Sequence, residues 1–142
     1  MKILMEAIRR RDDAQRDAQR RGDPNLAYDQ VWCIFDVDVH AAEIPNVRRK
    51  AEATGIELAV SNPCFELWLI LHFRGSPGRQ ERNWLHREMK IHVKSYDKKV
   101  EFSDYTSGYA EAVKRAEALD QEAAKAGEAG RNPTTEVYRL TR

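Results

Sequence analysis

Cysteine is scarce in this chain of 142 residues, with only Cys33 and Cys64. Both sit among apolar neighbours without metal-ligand spacing, so they read as small buried hydrophobes in a reducing compartment rather than a disulfide or zinc framework. An excess of one charge is also lacking. Charged residues make up 33% of the chain yet the net charge is +1, so bulk charge selects no partner, and a nucleic-acid interface would need a local basic face. Long hydrophobic runs are missing. The most apolar stretch, Phe65 to Phe73, is far short of a membrane span and contains Glu66. The opening MKILMEAIRRRDD has no secretory core, which points to the cytoplasm and to no membrane partner. No glycine-rich phosphate loop follows an apolar run, which weakens a nucleotide-binding reading. No repeat, linker or low-complexity tract appears, and the length suits one domain over 1–142.

What is present centres on VWCIFDVDVH, Val31 to His40. The unbroken apolar run Val31 to Phe35, rich in β-branched and aromatic residues, predicts a strand buried on both faces. Asp36 and Asp38 arrive where the run ends, at the carboxyl end, the place where open α/β sheets bind ligands. Residues two apart on a strand share a side, so the two acids converge. Two carboxylates that close repel each other and are costly to desolvate unless a cation or a proton lies between them. A local role, capping the loop after the strand, is the structural alternative.

The flanking chain supplies helices and one more strand. Ile3 to about Arg21 is predicted helical, with Leu4, Ile8, Ala14 and Ala18 on one face and the pairs Asp12–Arg16 and Asp17–Arg21 on the other. Gly22 to Asn25 stop it. Arg9, Arg10 and Arg11 read as a solvated face balanced by neighbouring acids rather than a phosphate site. Ala41 to Thr54 is a second helix closed by Gly55, and Ile56 to Val60 a second buried strand, which makes a parallel strand–helix–strand unit. In SNPCFELWLILHF, Asn62 caps and Pro63 opens a helix to Phe73 that is apolar nearly all round. Its exception, Glu66, gains from the first-turn amides on its own account. Functionally it reads as a third acid near the first two.

Beyond a Gly75–Gly78 loop, Trp84 to about Val93 is helical, with Trp84, Leu85 and Met89 inward. His86 and His92 share no helical face and so form no metal pair. Lys90, Lys94, Lys98 and Lys99 gather around Tyr96, the most basic local patch and by default a solvated one. Tyr105 to about Lys125 is a long amphipathic helix, and Asn132 and Pro133 open a short terminal one with Val137 and Leu140. The expected class is therefore α/β: a small Rossmann-like parallel sheet flanked by helices, with a helical C-terminal half. Two parallel strands make a poor sheet, since their edges lie unpaired among buried side chains. The strand–helix rhythm calls for a further strand before the first helix.

FDVDVH, followed by a helix and AVSNPCFELWLILHF, resembles the RloB-like family, associated with bacterial abortive-infection, restriction and phage-defence loci. SYDKK and NPTTEVYRL resemble that family's later segments, so the likeness runs along nearly the whole chain. The family is similar to Toprim-fold nucleases, in which a Glu on the first strand and an Asp-x-Asp on a later one bind divalent metal. Asp36 and Asp38 match the Asp-x-Asp. The Glu has no counterpart, and the resemblance then implies a chain shortened at its N-terminus relative to the family.

The resemblance implies hydrolysis of phosphodiester bonds in tRNA, other RNA or DNA. Asp36 and Asp38 would hold Mg²⁺ or Mn²⁺, hard cations that favour carboxylate oxygens. Lys98 would contact the phosphate, and Glu66 or His40 would orient water or a metal ligand. The competing reading is an interaction module without catalysis. It would dock on an AAA-type ATPase, a partner the resemblance suggests, or self-associate as a homo-oligomer through the open sheet edge.

Overall fold

A computed structural model describes residues 1–142, the side chain of Val39 excepted. It is an α/β chain, about 59% helical, with a small mixed sheet. Its elements are α1 (Lys2–Arg21), β1 (Trp32–Asp36), α2 (Ile44–Thr54), β2 (Glu57–Asn62), α3 (Glu66–Ile70), α4 (Arg82–His92), α5 (Tyr109–Lys125), β3 (Thr134–Thr135) and α6 (Val137–Thr141). The strand order is β1-β2-β3. Glu57 N–H donates to Val31 O at 2.9 Å and Val37 N–H to Ser61 O at 2.8 Å; both strands advance together, so β1 and β2 are parallel as expected. The chain forms two compact units, Met1–Ile34 with His40–Leu58 and Phe35–Val39 with Ala59–Arg142.

In the first unit, α1 buries Leu4 and Ala18 and ends at Gly22, whose φ of 66° lets its amide return to the Ala18 and Gln19 carbonyls. Its arginines are paired: Arg9 with Glu6 and Asp13, Arg10 with Glu6, Arg21 with Asp17. The expected Asp12–Arg16 pair does not form. Arg16 turns to Asp13 one step nearer, while Asp12 takes Arg11, whose guanidinium also donates to the Thr54 carbonyl at the end of α2. The predicted helix from Ala41 divides into a 3-10 helix, Asp38–Glu43, and α2 proper, which buries Val47 and Ala51.

In the second unit the core gathers around α3. Leu67, Trp68, Leu69, Ile70 and Leu71 are buried, as an all-round apolar helix requires, and Leu85 and Met89 of α4 and Ala112, Ala116 and Ala123 of α5 are buried with them. The helix is shorter than expected. Asn62 belongs to β2, where it faces Thr134, and is followed by a cis peptide to Pro63; Pro63 does not open a helix. Regular helix starts only at Glu66, with Phe65 as its N-cap. Gly108 crosses so close to His72 that a Cβ there would lie within 3.0 Å of the His72 Cα.

The sheet is mixed rather than purely parallel, and the reason lies in NPTTE. Asn132 and Pro133 do not open a helix; their peptide is cis and leads into β3, which pairs antiparallel with β2 through Ser61↔Thr135 and Asn62↔Thr134. Ser61 and Thr135 hydroxyls meet at 2.7 Å, Glu136 N–H donates to Val60 O, and Glu136 Oε2 accepts from Val60 N–H at 2.9 Å. One of the two edges left bare by the sequence reading is thereby closed. α5 starts at Tyr109, after two 3-10 turns, and α6 begins only at Val137.

Candidate active site

Asp36 is the last residue of β1, and its carboxylate is spoken for on both oxygens: Oδ1 accepts the Phe65 amide at 2.8 Å and Oδ2 the Arg82 guanidinium at 2.7 Å. Asp38 follows at a φ of 29°, a left-handed backbone that Asp tolerates better than most residues. Its amide donates to Pro63 O at 3.0 Å, and its Oδ2 meets Arg82 Nε at 2.6 Å. One guanidinium therefore bridges both acids. Arg82, the first residue of α4, is the cation that the acid pair demands. Burial works against its charge, but Asp38 and then Asp36 outweigh it and raise its pKa.

Glu66 stands in the same neighbourhood, its side chain only 16% exposed. Burial pushes the Cys64 thiol up to about 12, and the Glu66 carboxylate beside it adds to the rise. The Tyr96 hydroxyl is likewise raised, by burial first and by Glu66 next. His86 Nδ1 lies 4.0 Å from Glu66 Oε1, while its Nε2 meets Asp97 Oδ1 at 2.6 Å. Lys90 holds the other Asp97 oxygen at 2.6 Å, and these two contacts, Lys90 first, lower the Asp97 pKa. Tyr96 covers the imidazole, ring centroids 5.3 Å apart. A histidine held by one carboxylate and facing another can carry a proton between a half-buried acid and solvent.

The family model for RloB-like protein matches residues 1–142. The chain belongs to the RloB-like protein family. Neither a curated protein nor a solved structure matches it significantly.

In this RloB-like protein the sequence-selected residues part company. Asp36 and Asp38 come together on Arg82, while Glu66 faces His86 and acts on the Arg82 charge only weakly, at longer range. Lys98 does not join them: it is exposed and makes no ion pair among the described residues. His40 belongs to the first unit, where its Nδ1 is 3.9 Å from Glu43 Oε1. Within the basic patch, Lys90 and Lys99 are neutralised by Asp97 and Glu101. Sequence reasoning missed Arg82 and set His86 aside. Arg82 lies 46 residues from Asp36 at the start of an ordinary helix, and nothing in its local sequence marks it.

Among the described residues no group of three His, Cys, Asp or Glu side chains is arranged to hold a metal. The donor chemistry nevertheless suits a hard divalent ion, because two carboxylates converge on one cation position. Asp36 and Asp38 would be the protein ligands, with water completing the shell.

Proposed function

We propose that this RloB-like protein is a phage-defence protein that hydrolyses phosphodiester bonds of RNA or DNA, with Mg²⁺ or Mn²⁺ held by Asp36 and Asp38. The observation that carries this reading is the convergence of both carboxylates on one cation position, at 2.7 and 2.6 Å from a single guanidinium. The ion, when bound, supplies an acidified water and charge neutralisation at the phosphate. Arg82 holds the acids together beforehand, so that they need not repel each other across an empty gap. Once released from them, its planar donors suit a phosphate, a role that passes to it from Lys98. Glu66 and His86 accept and relay the proton that the attacking water gives up, with Asp97 fixing the imidazole.

A second reading keeps Arg82 as a permanent clasp and makes the chain a docking module, for an AAA-type ATPase or its own copy. The observation in its favour is that β1 ends the sheet, and Ile34 on it is 40% exposed beside an apolar groove lined by Ile3, Tyr28 and Trp32.

Calorimetric titration with Mn²⁺ separates the two. The nuclease reading expects wild type to bind, Arg82→Ala to bind more tightly because the competing cation is gone, and Asp36→Ala with Asp38→Ala to lose binding. If neither wild type nor Arg82→Ala takes up Mn²⁺, the metal site is refuted and the clasp stands.

A further inference from the structure

Nearly every arginine of this chain is matched to an acid or a carbonyl, so the ones that are not stand out. The Arg79 and Arg87 side chains make no hydrogen bond or ion pair among the described residues, and both line the same polar cleft of about 940 Å³. Trp84, half-buried, and Asn83 line it with them, and Asp38 and Arg82 form the end that meets the acid pair. Glu81 is the other acid of the lining.

The cleft is built rather than incidental. Asn132 accepts from the Gln80 amide at 3.3 Å and donates to the Gln80 carbonyl at 2.7 Å, which pins the strand of chain carrying Arg79 and Glu81. Asn62 donates to Gly130 O at 2.9 Å and holds the opposite wall at the end of β2. Arg87 follows Arg82, Asn83 and Trp84 on α4, so four of the lining side chains ride on one rigid helix.

We infer that this cleft binds a single strand of nucleic acid that runs up to the acid pair. Unpaired guanidiniums present the planar fork that phosphodiesters accept, the indole, with the Arg74 guanidinium 5.8 Å over its ring, has a second face to stack on a base, and the Asn83 amide both donates and accepts at base edges. A duplex keeps its bases stacked inside and gives Trp84 nothing to stack on. The cleft deepens the nuclease reading by naming its substrate as single-stranded. Binding itself needs no metal and so is testable apart from cleavage.

The test is fluorescence anisotropy of labelled single-stranded RNA and DNA 12-mers, and of a hairpin duplex of the same composition, with the full chain in EDTA. The single strands are expected to bind. Arg79→Ala with Arg87→Ala weakens them at least tenfold and flattens the slope of log K against log salt by about 1.4, since each lost phosphate contact contributes about 0.7 on a single strand. Trp84→Ala costs at least about fivefold and Trp84→Phe restores most of it. Lys50→Ala with Lys125→Ala removes the same charge from exposed positions outside the cleft and changes affinity less than twofold. Absence of binding in EDTA, a preference for the duplex, or an equal loss in the lysine variant would each overturn the inference. Failure of Mn²⁺ uptake with binding intact would overturn only the metal reading.

Discussion

Removal of Arg82 is the perturbation on which the most depends, because both acids then face each other without their shared cation. At about 4 Å a unit charge pair is worth about 1 kcal/mol in water and about 4 kcal/mol at an effective dielectric of 20. The side chains are 44% exposed for Arg82, 29% for Asp36 and 32% for Asp38, which places each contact toward the watery end. Two contacts of about 1.5 kcal/mol give about 3 kcal/mol, and the half-exposed arginine gives back about 1 kcal/mol of rotamer entropy, which leaves about 2 kcal/mol lost in Arg82→Ala. For a chain of this size that is about 6 °C in Tm. Arg82→Lys keeps the charge but cannot bridge both acids with a fork, and should lose about half as much. Scanning calorimetry at low salt and at about 1 M salt reads the effect, since screening shortens the reach of half-exposed charges to about 3 Å and should shrink the difference by more than half. A fall in Tm below 2 °C at low salt, or one unchanged by salt, would show that the guanidinium does not hold the two carboxylates as described.

Two further outcomes follow from the same unit. Cys64 is fully buried and its thiol is raised from an ordinary 9.0 to about 12, so between those values only the unfolded chain gives up the proton; stability should drop there by about 1.4 kcal/mol per pH unit. Below 9.0 both states keep the proton and the effect vanishes. Urea melts above pH 9 should therefore be steeper in pH for wild type than for Cys64→Ala, and parallel slopes would refute the assignment. Gly108→Ala should cost about 3 kcal/mol or prevent folding, because the added methyl runs into the His72 carbonyl, which is backbone and cannot step aside. A urea midpoint within error of wild type would contradict that close approach.

Much of the fold was legible because it depends on burial periodicity and on stop signals. The run Val31–Phe35 announced β1, the all-round apolar FELWLI announced a buried helix, and Gly22 and Gly55 marked helix ends where a left-handed residue is needed. β3 was not legible. A strand of two residues has no period to detect, and its place against β2 comes from the Ser61–Thr135 and Val60–Glu136 bonds across more than seventy positions of chain. The late end of β2, at Asn62 rather than Val60, went the same way: Asn62 and Pro63 carry good helix-opening signals that the pairing of Asn62 with Thr134 overrides.

By itself the sequence determined that two acids would stand at the carboxyl end of a strand and that something positive had to join them; the burial expected on both faces of that strand did not follow, since β1 is the sheet edge and Ile34 on it is exposed. Charge and spacing along a strand are local properties, so that demand could be read without coordinates. Only the tertiary structure decided what answers it, because Arg82 reaches Asp36 and Asp38 through the placement of α4 by the buried Leu85 and Met89, and its own neighbours in the chain say nothing about where its guanidinium will come to rest.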